Sequence, residues 1–119
     1  NTYVQAECVF LDEKNKNKLD KKLLGSIKTK DYLILLDEKG KALNTVEYSK
    51  FLYHQTLHHA SLIFVVGDAY GIPHNITARS NAVLSLSKMT FPHMFARLIL
   101  LEQTYRAFSV LNNHPYHHE

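Results

Sequence analysis

Tyr32-Leu33-Ile34-Leu35-Leu36 is an unbroken apolar run set between Lys30-Asp31 and Asp37-Glu38-Lys39-Gly40, and Leu62-Ile63-Phe64-Val65-Val66 repeats the pattern before Gly67-Asp68-Ala69-Tyr70-Gly71. A strand exposed on one face alternates apolar with polar residues; a run apolar throughout is buried on both faces. Between the two runs, Asn44 with Glu47 three residues on makes a capping pair that opens a helix carrying Val46, Phe51, Leu52 and Leu57. The fold class follows: an α/β protein with a parallel sheet and helices on both faces.

Outward from these runs, Val4, Ala6, Cys8 and Phe10 alternate like a half-buried strand. Leu19, Leu23, Leu24 and Ile27 are spaced for a short helix, weakened by Gly25. After the second run the pattern predicts a short helix over His74–Asn81 and a strand over Val83-Leu84-Ser85-Leu86. A loop, Ser87 to Pro92, leads to a long helix from His93, where Met94, Leu98, Leu101, Tyr105 and Phe108 keep 3/4 spacing. That face suits either the intrachain core or a partner.

The 119 residues make one domain, and 45% hydrophobic against 21% charged is an ordinary globular balance. The longest apolar run is far short of a membrane span. Asn1 to Glu7 carries no basic or apolar leader pattern. Cys8 is the single cysteine, so no disulfide within the chain and no cysteine-based zinc site is expected. These features lead us to expect a cytoplasmic protein without membrane or metal partners. The net charge of +3 is mild, but ten of the eleven lysines lie within the first fifty residues and all eight histidines after them. The stretch from Lys14 to Lys30 is either plain solvated surface or a phosphate-binding segment. His54 and His58, four apart, and His114, His117 and His118 lack the glutamate of H-E-x-x-H, which favours solvated or partner-facing roles over metal.

In a parallel sheet, ligands bind beyond the carboxyl ends of the strands. Leu36-Asp37, Gly67 to Gly71, and Leu86 to Phe91 are the candidates. Gly67 and Gly71 are either turn residues or places where backbone meets a ligand. Neither G-x-G-x-x-G nor a P-loop is present, and no G-x-S-x-G accompanies the histidines.

Leu84-Ser85-Leu86-Ser87-Lys88-Met89-Thr90-Phe91-Pro92-His93, then Arg97, Glu102-Gln103, Tyr105-Arg106-Ala107 and His114-Pro115-Tyr116-His117 form an ordered series. It closely resembles the C-terminal half of the bacterial large-subunit ribosomal RNA pseudouridine methyltransferases of the SPOUT class, the RlmH family. The resemblance covers roughly residues 31–119. It implies a deep C-terminal trefoil knot, which no pattern argument would reach because true knots are so rare. It also implies S-adenosylmethionine as cofactor, held by Leu36, Gly67, Leu86, Ser87, Lys88, Met89, Thr90 and Phe91. The implied reaction methylates N3 of a pseudouridine in large-subunit ribosomal RNA, in the assembled ribosome, by a homodimer. Arg106, His114, Tyr116 and His117 are the RNA-facing groups it implies, although Arg106 also suits a helix pair with Glu102. Two departures stand out. The chain, read as a single SPOUT domain over 1–119, looks shortened at its N-terminus, and Asp68 replaces the family's usual second glycine. The rival expectation is a knotted dimer that keeps the fold without catalysis.

Overall fold

The computed structural model describes residues 5–10, 24–25, 27–28, 30–59, 61–67, 72–87, 89 and 93–111, with the backbone alone for 5–10, 93–94 and 108–111. Among the described residues, four strands, β1 (Gln5–Phe10), β2 (Tyr32–Ala42), β3 (Ser61–Val66) and β4 (Ala82–Ser85), and helices α1 (Thr45–His58), α2 (His74–Arg79) and α3 (His93–Leu111) follow in the order β1-β2-α1-β3-α2-β4-α3. The strands form one sheet in the order β1-β3-β2-β4, and every adjacent pair is parallel. The two apolar runs are thus the central strands, as their lack of alternation requires.

Successive residues of these strands serve opposite cores. Ile34 and Leu36, with Leu62, Phe64, Val66 and Leu84, meet Tyr48 and Leu52 of α1 and Leu100 and Ala107 of α3. Leu33, Leu35, Ile63 and Val65 meet Ile76 of α2 on the other side, joined by the half-buried Leu24, Ile27 and Ile72. Helices therefore cover both faces.

Helix α1 starts where the capping pair places it. Asn44 Oδ1 accepts from Glu47 N–H, and Glu47 Oε1 accepts from Asn44 N–H, both at 2.8 Å. Thr45 Oγ1 donates to Gln103 Oε1 at 2.8 Å, and the Tyr48 and Thr104 hydroxyls meet at 2.9 Å, so α1 and α3 are also joined by polar contacts.

The charged stretch Asp37-Glu38-Lys39-Gly40 that follows Leu36 lies inside a longer strand. Leu36 and Lys41 both stand opposite Leu84, so residues 37–40 bulge out before β2 resumes its pairing with β4. Asp37 Oδ1 accepts from Lys39 N–H at 3.0 Å, closing the local turn. A Cβ on Gly40 would lie 2.8 Å from the carbonyl carbons of Val83 and Leu84, so the two backbones meet there with no room for a side chain.

Helix α2 stops at Arg79, before the expected Asn81, because Asn81 is engaged with β2. Its Oδ1 accepts from Leu33 N–H and its own N–H donates to Leu33 O, both at 2.8 Å. Arg79 braces this arrangement, donating to Asn81 Oδ1 at 3.1 Å and to the Lys28 and Asp31 carbonyls at 2.8 and 3.1 Å. With Asn81 fixed, β4 begins at Ala82 and ends at Ser85, leaving Leu86 in the following loop. The helix expected around Leu19–Ile27 falls mostly outside the described residues; Leu24 and Gly25 are helical.

Candidate functional site

Parallel pairing sets the ends of β3 and β4 in one row with the point where β2 bulges. Leu36 stands opposite Val66 on one side and Leu84 on the other. The residues that follow, Gly67, Asp37 and the Ser85–Ser87 turn, therefore emerge together along one edge. Leu36 is buried at 7% exposure, and the half-buried Leu86 packs against the same apolar cluster. Beyond this wall the chain turns sharply. Ser85 Oγ donates to Ser87 O at 2.6 Å, and Ser87 Oγ accepts from Met89 N–H at 3.0 Å. The buried Ser85 thus shapes the exit from β4, a role its place in an apolar strand pattern does not reveal.

Of the eight residues expected to hold a cofactor, Leu36, Gly67, Leu86 and Ser87 come together on this edge. Met89 follows with its side chain 71% exposed. Lys88, Thr90 and Phe91 lie outside the described residues, as does Asp68. An apolar wall flanked by backbone from the ends of β3 and β4 and from the bulge of β2 fits an adenosine-like group: the leucines cover a flat ring while main-chain N–H and C=O groups read its edge.

Arg106 lies on α3 and is paired. Its Nε donates to Glu102 Oε2 at 3.1 Å, and a second, shorter contact runs from Nη2 to the same oxygen. Gln103 Nε2 donates to Glu102 Oε1 at 2.9 Å while Gln103 Oε1 accepts from Thr45. The guanidinium is therefore oriented by a chain of contacts that begins at the first turn of α1. His114, Tyr116 and His117 lie outside the described residues. The His54 and His58 rings lie with centroids 4.7 Å apart, tilted 59° to each other, and among the described residues no three His, Cys, Asp or Glu side chains are grouped to hold a metal.

The apolar spacing of α3 divides between two faces. Leu100 and Ala107 are buried against the sheet and α1, whereas Leu98, Leu101 and Tyr105, joined by Phe95, are 55–64% exposed. Met94 and Phe108 have no described side chains. The spacing thus marks the outward face, and the inward face, Leu100, Gln103, Thr104 and Ala107, falls at positions between those of the spacing. No described helix is long and apolar enough to cross a membrane.

A parallel α/β sheet with a candidate site beyond its strands is shared by many proteins, and comparison with known sequences decides among them. The family described as "Predicted SPOUT methyltransferase" aligns with residues 4–117, and the chain belongs to it. Among individual relatives, the "Ribosomal RNA large subunit methyltransferase H" of Parabacteroides distasonis is 43% identical over 110 residues, covering 91% of this chain and 69% of the relative. The proteins of that name from Acholeplasma laidlawii and Clostridium botulinum Eklund 17B are 44% and 46% identical, covering 81% and 86% of this chain and 66% and 65% of the relatives. The chain thus spans about two thirds of the length of these relatives.

Proposed function

We propose that this chain is a ribosomal RNA methyltransferase that uses S-adenosylmethionine to methylate N3 of a pseudouridine in the large subunit. The observation that carries the reading is the row Val66–Leu36–Leu84, which sets Gly67, Leu36, Leu86 and Ser87 on one edge. These residues, with Lys88, Met89, Thr90 and Phe91, would hold the cofactor. When bound, it supplies an electrophilic methyl group on a sulfonium centre. Leu36 and Leu86 keep water from one side of such a site, and main-chain groups beyond the strand ends orient the ligand.

Arg106, held by Glu102, which Gln103 holds in turn, is the group we assign to the RNA, through a phosphate or a base carbonyl. His114, Tyr116 and His117 complete that assignment, and the target nitrogen must lose its proton for transfer to occur. The row of exposed Phe95, Leu98, Leu101 and Tyr105 supports a homodimer, since adjacent large apolar side chains on one helix face usually mark a contact surface. A deep trefoil knot in the C-terminal region, action on the assembled ribosome and a cytoplasmic location belong to the same proposal. Neither the fold nor the comparisons favour the inactive alternative.

The test is a calorimetric titration with S-adenosylmethionine, followed by transfer of labelled methyl to ribosomes. Gly67→Val should abolish cofactor binding while leaving circular dichroism at the parent level, because backbone nears the ligand there and leaves no space for a side chain. Undiminished binding in that variant removes Gly67 from the site.

A further inference from the structure

Beside the strand-end edge, with which it shares Leu84, a cleft of about 620 Å³ opens between α1, β4 and the stretch 41–43 at the end of β2. Among the described residues, strand β4 is the last in the sheet and pairs with β2 alone. Phe51 and Leu84 line the cleft, Lys41, Lys50 and His54 stand around it, and Gln55 lies within it.

Gln55 is the unusual member. It is 8% exposed, yet among the described residues its side-chain amide has no hydrogen-bond partner. A buried amide without a partner is costly, and such groups are normally satisfied. One paired donor and acceptor facing a cleft suits the edge of a nucleobase, which presents the complementary pair. The other walls agree. Phe51, half-buried with its ring 6.2 Å from that of Tyr32, adds an aromatic wall, and Lys41 and Lys50, both exposed and without an ion pair among the described residues, suit phosphate. Glu47 also borders the cleft, but its carboxylate is engaged at 2.8 Å by the Asn44 N–H of the capping box.

We propose that this cleft binds one unpaired nucleotide of an RNA strand, with its base against Gln55 and Phe51 and its phosphate on Lys41 and Lys50. This rests on the ribosomal RNA reading above and adds to it a second RNA contact, which adjoins at Leu84 the edge where the cofactor is assigned. The cleft holds an anchoring nucleotide rather than the one that reacts.

The experiment measures binding of fluorescein-labelled single-stranded RNA hexanucleotides, one per base, to the chain by anisotropy over a salt series. Gln55→Leu keeps the side-chain volume and removes the amide, so it should leave the thermal midpoint equal or higher while weakening the preferred hexamer about five- to tenfold. Lys50→Gln should reduce the log–log salt slope by about 0.7, the loss of one single-strand phosphate contact. Unchanged affinity in Gln55→Leu, an unchanged slope in Lys50→Gln, or no hexamer binding by the parent chain overturns the proposal. A fall in thermal midpoint without loss of affinity does so too, by showing that Gln55 is structural. Free uridine 5′-monophosphate is the companion arm. If it binds as tightly as the hexamer, the cleft serves free nucleotides and the RNA assignment is wrong. Methyl transfer to ribosomes is scored separately: loss of hexamer binding in Gln55→Leu supports the cleft even if transfer is absent, whereas intact transfer with unaltered hexamer binding defeats the cleft alone.

Discussion

Gly40→Ala adds a single methyl group at the tightest point of the β2–β4 junction. The new Cβ would sit 2.8 Å from Val83 C, Val83 O and Leu84 C, all of them backbone atoms that cannot rotate away. Ordinary carbon contacts begin near 3.5 Å, so the two strands must separate by about 0.7 Å or the bulge must refold. Overpacking of this kind costs about 1–3 kcal/mol. Gly25→Ala is the matched control. Gly25 is exposed in a helical turn and nothing lies within 4 Å of its added Cβ, so the same chemical change should stabilise by about 0.4–1 kcal/mol. The assay is urea unfolding followed by circular dichroism. With an m-value of about 1–3 kcal/mol per molar, Gly40→Ala should lower the midpoint by about 1 M at constant slope, and Gly25→Ala should raise it slightly. The bulge also begins one residue after Leu36 and presses on the strand that leads into Leu86 and Ser87, so cofactor affinity should fall with stability. If Gly40→Ala unfolds at the same urea concentration as Gly25→Ala, the steric account of the bulge is wrong.

Two further variants probe other parts of the frame. Asn81→Ala strips the buried Leu33 N–H of its acceptor and should cost about 1–3 kcal/mol in urea unfolding, whereas Asn81→Asp, which keeps the acceptor beside Arg79, should stay near the parent; equal losses in both would show that the side-chain oxygen is not what matters. Tyr32 is held above the ordinary phenol pKa of 10.0 by burial, so its neutral form is favoured in the folded state and the stability it contributes is whole below pH 10 and lost as pH rises through the folded value. Tyr32→Phe should therefore show a shallower decline in unfolding free energy on the alkaline side, and identical alkaline slopes would refute the assignment.

The elements legible in the sequence were those fixed by short-range physics. Tyr32–Leu36 and Leu62–Val66 announce buried strands because burial on both faces excludes polar residues, and parallel pairing follows from helices on both sides. Asn44 and Glu47 mark the start of α1 because their hydrogen bonds are made within one turn. The ordered series from Leu84 to His117 was enough to indicate the family, which the alignment of residues 4–117 bears out.

Contacts between distant residues were settled only by the tertiary structure. Nothing local in Asp37-Glu38-Lys39-Gly40 tells a terminal turn from a bulge; pairing with Leu84 decides it. Asn81 reads as the end of a helix until Leu33, 48 residues away, claims both its side chain and its N–H. The 3/4 spacing of α3 marks an apolar face but not its direction. Leu98, Leu101 and Tyr105 point outward because α1 meets the helix through Gln103 and Thr104 instead. Gln55 carries no signal at all in a helix sequence, since an amide there is ordinary until the fold buries it beside a cleft. Sequence periodicity reports which residues share a face; only the packed neighbours determine which face is covered.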